Sequence, residues 1–343
     1  MKEFQIGDRK ISPNKIPFII AEAGINHEGD FKKAIQLVDA AIESGADCIK
    51  FQCHITEKEM IPTDMKPGEI SDERLWDIIK RCELTEDEEI KIMNYCDKRG
   101  ILYLCTPFSK EAADRLLAMN VEAFKIGSGE CNNIPLIEHI AKMGKPIILS
   151  TGMNDLESIK KSVSVIKKEN IPLMLMHCTS MYPTPYDKVR LPAIKELYEA
   201  FDVPVGLSDH SIGIYTCLGA IPYGACVFEK HFTLTKDWSG PDISISLTPN
   251  ELSELVKGSM AVFQALNGSK NILPEEKPVI DFAYASVVSI MPIKKGEIFS
   301  SKNIWVKRPG TGSFLAYEID KVLGKKANKN IENNSQIHLT DIE

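Results

Sequence analysis

Two stretches place histidines where apolar runs turn polar: Gly206-Leu-Ser-Asp-His-Ser211 and Phe228-Glu-Lys-His-Phe-Thr233. About twenty residues separate His210 from His231, room for one helical crossover between parallel strands. Neighbouring parallel strands would set both imidazoles at one edge of a sheet. There they could seat a divalent metal, or simply hydrogen-bond at a rim. Two lysines pose a similar question. Lys50 and Lys125 each lie inside an otherwise apolar run, Asp47-Cys-Ile-Lys-Phe-Gln52 and Ala123-Phe-Lys-Ile-Gly-Ser-Gly129. An ammonium in a central strand is costly unless it is paired or faces a ligand. A structural pair with Glu22 is the plain reading, and an anion seat is the functional one.

The elements that must position these groups alternate along the chain. Eight strand-like runs begin near Phe18, Asp47, Ile101, Ala123, Pro146, Pro172, Pro204 and Cys226. Helical segments separate them, as at Phe31–Ser44, where Ala34, Leu37, Val38 and Ala41 share a face. Eight strands alternating with helices over about 250 residues predict an α/β fold, a TIM (β/α)8 barrel. An open doubly wound sheet has no G-x-G-x-x-G to support it. The first stretch reads as a capping hairpin or arm, and Thr56 to Ser71 as a long loop. The barrel is assigned to residues 1–267, a polar linker to 268–282, and a small β-rich domain to 283–343, with β-like runs at Ser286–Ile290, Ile304–Val306 and Ile337–Leu339. Trp76, Trp238 and Trp305 read as packing residues.

Barrel active sites lie at the C-terminal ends of the strands. The pattern puts there Glu22, Lys50, Gln52, Thr106, Lys125, Ser128, Glu130, Ser150, Thr151, Thr179, Ser180, Tyr182, Ser208, Asp209, His210, Glu229 and His231. Two lysines and several hydroxyls on one rim suit phosphate and carboxylate. Glycines 24, 127, 129 and 152 sit at strand-to-loop turns, where they serve backbone geometry or close approach of a ligand.

Composition narrows the class. Of 343 residues 43% are hydrophobic, and 48 acidic against 41 basic side chains leave a formal charge of −7 without a basic tract. Nucleic acid and anionic membrane are therefore excluded as partners. No signal core or membrane-length apolar run is visible. The nine cysteines are scattered, with no C-x-x-C pair, and buried reduced thiols predict a cytoplasmic protein.

Five stretches in order resemble the bacterial sialic acid synthases: Ala21-Glu-Ala-Gly-Ile-Asn-His-Glu-Gly29, Lys125-Ile-Gly-Ser-Gly-Glu-Cys-Asn-Asn133, Ile148-Leu-Ser-Thr-Gly-Met153, His177-Cys-Thr-Ser-Met-Tyr-Pro-Thr-Pro185 and Trp305-Val-Lys-Arg-Pro-Gly310. The last 60 or so residues are similar to that family's antifreeze-like (SAF) domain, a size near the lower limit for independent folding. The resemblance implies condensation of phosphoenolpyruvate with open-chain N-acetylmannosamine to give N-acetylneuraminate and phosphate, for surface polysaccharide. It implies Mn2+ or Mg2+ held by His210 and His231. Phosphoenolpyruvate would meet Lys50, Thr106, Lys125, Ser128, Ser150, Ser180 and Ser208, and the sugar Gln52, Tyr182 and Asp242. Arg308 would reach in from a partner subunit of a domain-swapped homodimer. Glu22 is the expected proton-handling group, with Lys50 and Lys125 catalytic beside it.

Departures from the family pattern bear on the acceptor. Ser180 stands where asparagine is common, Phe51 and Cys53 replace a histidine and a threonine, and Ser-Ile-Gly-Ile-Tyr after His210 is closer to legionaminic or pseudaminic acid relatives. Gly127-Ser-Gly-Glu130 fits the sialic and legionaminic branches better than the pseudaminic one. A legionaminic acid synthase using a 2,4-diacetamido-2,4,6-trideoxy sugar is the alternative. More distant readings are a Schiff-base aldolase using Lys125 or Lys50, which needs no metal, and an ice- or glycan-binding module on an inert barrel.

Overall fold

The eight runs fold as eight parallel strands in a computed structural model that describes residues 3–68 and 71–343. Residues 69 and 70 of the expected long loop lie outside the described residues. A short hairpin comes first, β1 (Phe4–Ile6) paired antiparallel to β2 (Arg9–Ile11). The barrel strands are β3 (Phe18–Gly24), β4 (Cys48–Cys53), β5 (Leu102–Pro107), β6 (Phe124–Ile126), β7 (Ile147–Ser150), β8 (Leu173–Cys178), β9 (Val205–Asp209) and β10 (Val227–His231). Their hydrogen-bonded order is β5-β4-β3-β10-β9-β8-β7-β6. β5 and β6, the ends of this ladder, lie side by side, so the sheet curls into a TIM barrel.

Helices cross over between these strands: α1 (Phe31–Glu43), α2 (Thr56–Glu59), α3 (Leu75–Cys82), α4 (Glu86–Arg99), α5 (Lys110–Ala118), α6 (Ile134–Ala141), α7 (Leu156–Lys168), α8 (Pro192–Phe201), α9 (Tyr215–Ala220) and, after the last strand, α10 (Pro249–Ala265). Their ends are written locally. Asp30 caps α1 through the Lys32 backbone N–H at 2.7 Å, Thr85 and Glu88 form a capping box on α4, and Gly100 closes that helix at φ 77°. The apolar stripe of α1, Leu37, Val38 and Ala41, is buried against the outer strand faces, with Ile19, Ile49 and Phe51 in the same core.

Strand alternation divides the barrel interior into two levels. The lower level is apolar: Ile20, Cys48, Leu104, Ala123, Ile148, Met174 and Val227 pack with Phe4, Ile6 and Ile11 of the hairpin, which closes the N-terminal end. One step of the pleat further up, the same strands present Glu22, Lys50, Thr106, Lys125, Ser150, Ser208 and Glu229, all buried. The charged level thus rests on an apolar floor.

His27, just past β3, is fully buried, and its Nδ1 accepts the Gly29 N–H at 3.0 Å. Burial, then the nearby His54, holds its pKa at about 4, against 6.5 for the free side chain. Between those values the unfolded chain binds the extra proton, so stability falls as pH falls through this window and is unaffected by His27 above it. Urea unfolding at pH 7 and pH 5 should differ by about 2 kcal/mol from this group alone. His27→Gln should remove that part of the slope; an unchanged slope would show that the cost of charging His27 is not felt in folding.

The chain divides into two compact units, the first ending at Asn267 and the second Gly268–Glu343. The stretch 268–282, expected as a linker, belongs with the second unit and carries most of a helix, α11 (Lys277–Ala283). The second unit has a core of its own, with Val287, Phe299, Ile304, Phe314 and Ile337 buried. Among the described residues its sheet is one antiparallel pair, β11 (Ser286–Ser289) with β12 (Ile304–Lys307). The run at Ile337–Leu339 is no strand; Gln336 makes a single bridge to Val288. Trp305 is 56% exposed rather than packed, because it occupies the outward position of a two-stranded ribbon. Trp238 does pack against the barrel core, with the Lys33 ammonium 5.1 Å from its ring centroid.

Candidate active site

Register sets the site. Glu22 is the Cα partner of Lys50 across β3 and β4, and of His231 across β3 and β10. Gln52 faces Thr106 across β4 and β5, and Glu229 faces Ser208 across β10 and β9. The resulting cavity, about 330 Å3, is lined by Glu22, Lys50, Gln52, Thr106, Lys125, Ser128, Ser150, Ser180, Tyr182, Ser208, His210 and His231 among others. Twelve of the residues expected from the sequence therefore meet in one place. Asp242 stands beside the cavity, its Oδ2 3.6 Å from His231 Nδ1. Arg308 lies in the second unit, exposed, directly after β12.

A four-charge cluster forms the floor of the cavity. Lys50 Nζ is 2.7 Å from Glu22 Oε2 and 3.7 Å from Glu229 Oε2, and donates to Thr106 Oγ1 at 3.3 Å. Lys125 Nζ and Ser208 Oγ donate to Glu229 Oε1 at 3.1 and 2.9 Å. Both lysines are thus paired, as the plain reading of the sequence required, and both also face the cavity. The two carboxylates are driven apart. Burial opposes ionisation of Glu229, but Lys125, Lys50 and the Ser208 hydroxyl outweigh it and hold its pKa at about 2. For Glu22 burial wins; with the repulsion of Glu229 it raises the pKa despite Lys50. Two carboxylates separated in this way divide into a permanent anion and a group able to carry a proton.

Glu229 is the residue whose weight the sequence reading missed. It was visible as a strand-end carboxylate, and its signal is the alternation Val227, Glu229, His231 on the inward face of β10. The intervening Lys230 points outward and is buried with Asp209, Nζ to Oδ2 2.9 Å. Asp209 also accepts from Ser211 Oγ at 2.9 Å and Thr216 Oγ1 at 2.7 Å. This outer network fixes the turn that carries His210.

Gly152 leaves room for the hydroxyls beside it. A Cβ there would collide with the Ser180 and Ser128 side chains, and its N–H donates to Ser128 Oγ at 3.0 Å. Ser150 Oγ is buried without a hydrogen-bond partner. Gly152→Ala should displace both serines and raise KM for an anionic substrate by about 10^2-fold, read by steady-state kinetics. An unchanged KM would place the anion elsewhere.

Three comparisons bear on the site. A family model described as the NeuB family matches residues 37–271, and a SAF domain model matches 284–343. The chain belongs to the NeuB family. It is 41% identical over 344 residues to an uncharacterized protein of Methanocaldococcus jannaschii, covering 100% of this chain and 99% of that one. It is 40% identical over 336 residues to the N,N'-diacetyllegionaminic acid synthase of Campylobacter jejuni, covering 94% and 99%. Among solved structures, an N-acetylneuraminic acid synthetase from Leptospira borgpetersenii in complex with citrate superposes with TM-score 0.73 at 35% identity, covering 81% of this chain and 95% of that one. The chain is thus an enzyme of the NeuB, or sialic acid synthase, family with a SAF domain.

The imidazole pair fits an open metal site in this NeuB-family barrel. The His210 and His231 ring centroids are 5.4 Å apart, and Tyr182 stacks on His210 at 4.1 Å. Burial, then His210 and Lys50, pushes the His231 pKa well down, so its ring is neutral, and His231 Nδ1 is buried without a hydrogen-bond partner. His210 Nδ1 lies 3.1 Å from the Thr179 carbonyl, a contact that fixes the ring and frees Nε2. Among the described residues no third His, Cys, Asp or Glu completes a protein cage. An imidazole pair with the remaining positions open suits a divalent ion that also binds substrate.

Proposed function

We propose that this enzyme condenses phosphoenolpyruvate with the open-chain aldehyde of an N-acylated amino sugar, adding water and releasing phosphate. The observation that carries this reading is the pairing of Lys50 and Lys125 with the hydroxyls of Thr106, Ser128, Ser150 and Ser208 around one buried cavity. Such a floor holds a carboxylate and a phosphate in fixed orientation. C3 of phosphoenolpyruvate attacks the aldehyde carbon, and positive charge develops at C2. Glu22 takes a proton from the water that adds at C2 and returns it to the alkoxide formed from the aldehyde oxygen. Cleavage of the C–O bond then expels phosphate between the lysines, the C2 hydroxyl proton leaves with it, and the 2-keto acid remains. His210 and His231 would hold Mn2+ or Mg2+, which supplies Lewis-acid polarisation of the aldehyde oxygen. Gln52, Tyr182 and Asp242 are the proposed sugar contacts, and Arg308 of a second copy is the proposed fourth, in a homodimer.

N-acetylmannosamine, giving N-acetylneuraminate, is one acceptor. A second, the 2,4-diacetamido-2,4,6-trideoxy sugar, is favoured by the likeness to the Campylobacter jejuni legionaminic acid synthase. The test is phosphate release by metal-stripped protein given phosphoenolpyruvate and either sugar, with and without Mn2+. Release that needs metal and one of the sugars supports the proposal and names the acceptor. A folded protein releasing no phosphate with either would overturn it. A borohydride-trapped substrate adduct would instead favour the aldolase chemistry. A surface-sugar pathway is the proposed setting, and among the described residues no helix is long and apolar enough to cross a membrane.

A further inference from the structure

Asp242 is carried on a strap, residues 233–247, that leaves the barrel after β10 and returns to it. The two ends are pinned together. The Leu247 N–H donates to the His231 carbonyl at 2.7 Å, and the Thr233 N–H to the Leu247 carbonyl at 2.9 Å. Between these points Ile243 and Ile245 are buried and anchor the strap. Ser239, Gly240 and Pro241 instead line a second cavity of about 690 Å3, together with Glu28, Lys33 and Arg81. The strap therefore has space to move into. Its apolar contacts are non-directional and do not aim its backbone groups.

Lys236 supplies that direction. Its ammonium donates to the carbonyls of Ile243 and Ser244 at 3.0 and 3.1 Å, and to that of Ser246. An ammonium has three N–H donors and no acceptor, and the strap takes all three. These carbonyls close the turn that opens at Asp242, whose own carbonyl accepts the Ser246 N–H at 3.1 Å. Carbonyl oxygens aimed at one point repel one another, and a cation among them turns the repulsion into attraction.

A second set of bonds ties the same turn to β10. Asn26, past the end of β3, is fully buried. Its amide donates to the Phe232 carbonyl and to Ser246 Oγ, each at 2.9 Å. Ser246 Oγ donates in turn to the Asp242 carbonyl at 2.7 Å. Phe232 directly follows His231. The chain thus registers Asp242 against the imidazole that its carboxylate approaches to 3.6 Å.

We propose that Lys236, Asn26 and Ser246 are positioning residues that hold Asp242 for the acceptor sugar, and so govern use of the sugar rather than of phosphoenolpyruvate. The inference rests on reading Asp242 as a sugar contact in the proposed reaction. None of the three lines the cavity assigned to phosphoenolpyruvate, so each acts through the strap.

Lys236→Met keeps the stem of the side chain and removes the cation. The full chain is assayed at saturating Mn2+ with the sugar it turns over. The variant should lose about 10^2-fold in kcat/KM for the sugar, the scale of a displacement near 1 Å, while KM for phosphoenolpyruvate stays within about two-fold. Ser246→Ala should act in the same direction. In an Asp242→Ala background Lys236→Met should cost no more than about two-fold further, since the group it positions is gone. Losses that multiply in the double variant, or an equal rise in both KM values, would overturn the proposal. Backbone amide exchange reads the same point without activity. In Lys236→Met, exchange within residues 242–247 should quicken while that of the barrel strands stays as in wild type. Unchanged exchange there would overturn the positioning role even where the reaction stands. If wild type releases no phosphate with either sugar, the proposed reaction fails, and amide exchange still decides whether Lys236 orders the strap.

Discussion

Glu22→Gln should lower kcat for phosphate release by about 10^2–10^4-fold, the usual span for loss of a positioned acid or base, and leave phosphoenolpyruvate affinity within a few-fold of wild type. The substitution keeps shape and removes only the ability to gain and lose a proton. Lys50 retains a second carboxylate, Glu229 Oε2 at 3.7 Å, so its ammonium stays in place to hold the ligand. Glu229 cannot substitute as the base. Despite burial, its lysine partners keep its pKa at about 2, too low to take a proton from water efficiently, whereas burial raises that of Glu22. Single-turnover phosphate release together with calorimetric binding of phosphoenolpyruvate separates the two quantities. A variant with kcat near wild type would remove Glu22 from the chemistry and leave it a structural partner of Lys50.

The barrel is legible in the sequence because parallel strands buried on both faces read as continuous apolar runs, and each of the eight ends in the polar burst that marks the C-terminal rim. Lys50 and Lys125 stand out for the same reason, as charges where an apolar residue is the rule. What the sequence does not display is contact across the barrel. Glu229 is one polar residue among several on its strand; only closure of the sheet brings it, on β10, within reach of both Lys50 on β4 and Lys125 on β6. The second unit shows less of its structure in its sequence than the barrel does. Its backbone bonds are largely isolated bridges and turns, as at Ile293 with Ile331 and Ile298 with Lys326, so Ile337–Leu339 has the apolar character of a strand without a ladder to join. Residues 268–282 read as linker because Pro274 and Pro278 break longer patterns, yet Pro278 sits in the first turn of α11, where its missing N–H costs nothing.

Glu229→Leu should destabilise the protein by about 3–5 kcal/mol, the usual cost of removing one partner from a buried ion pair, and lower Tm by roughly 10 °C. Lys125 would bear the loss. Its ammonium is 3.1 Å from Glu229 and 2% exposed, and of the other nearby charges Lys50 repels it while Glu22 attracts it less strongly. Burial already lowers its pKa with Glu229 present, so without that partner it would lose its proton or admit water. Lys50 would fare better, since Glu22 remains 2.7 Å away. The double variant Glu229→Leu with Lys125→Met removes both charges and refills the space, so its cost should be less than the sum of the single ones by about 0.5–3 kcal/mol. Additive losses in thermal unfolding would mean that the two side chains do not act as a pair. Phosphate release should respond differently, staying low in the double variant even where folding recovers. That divergence would show that Lys125 is retained for the ligand it faces, and that Glu229 keeps the lysine charged before the ligand arrives.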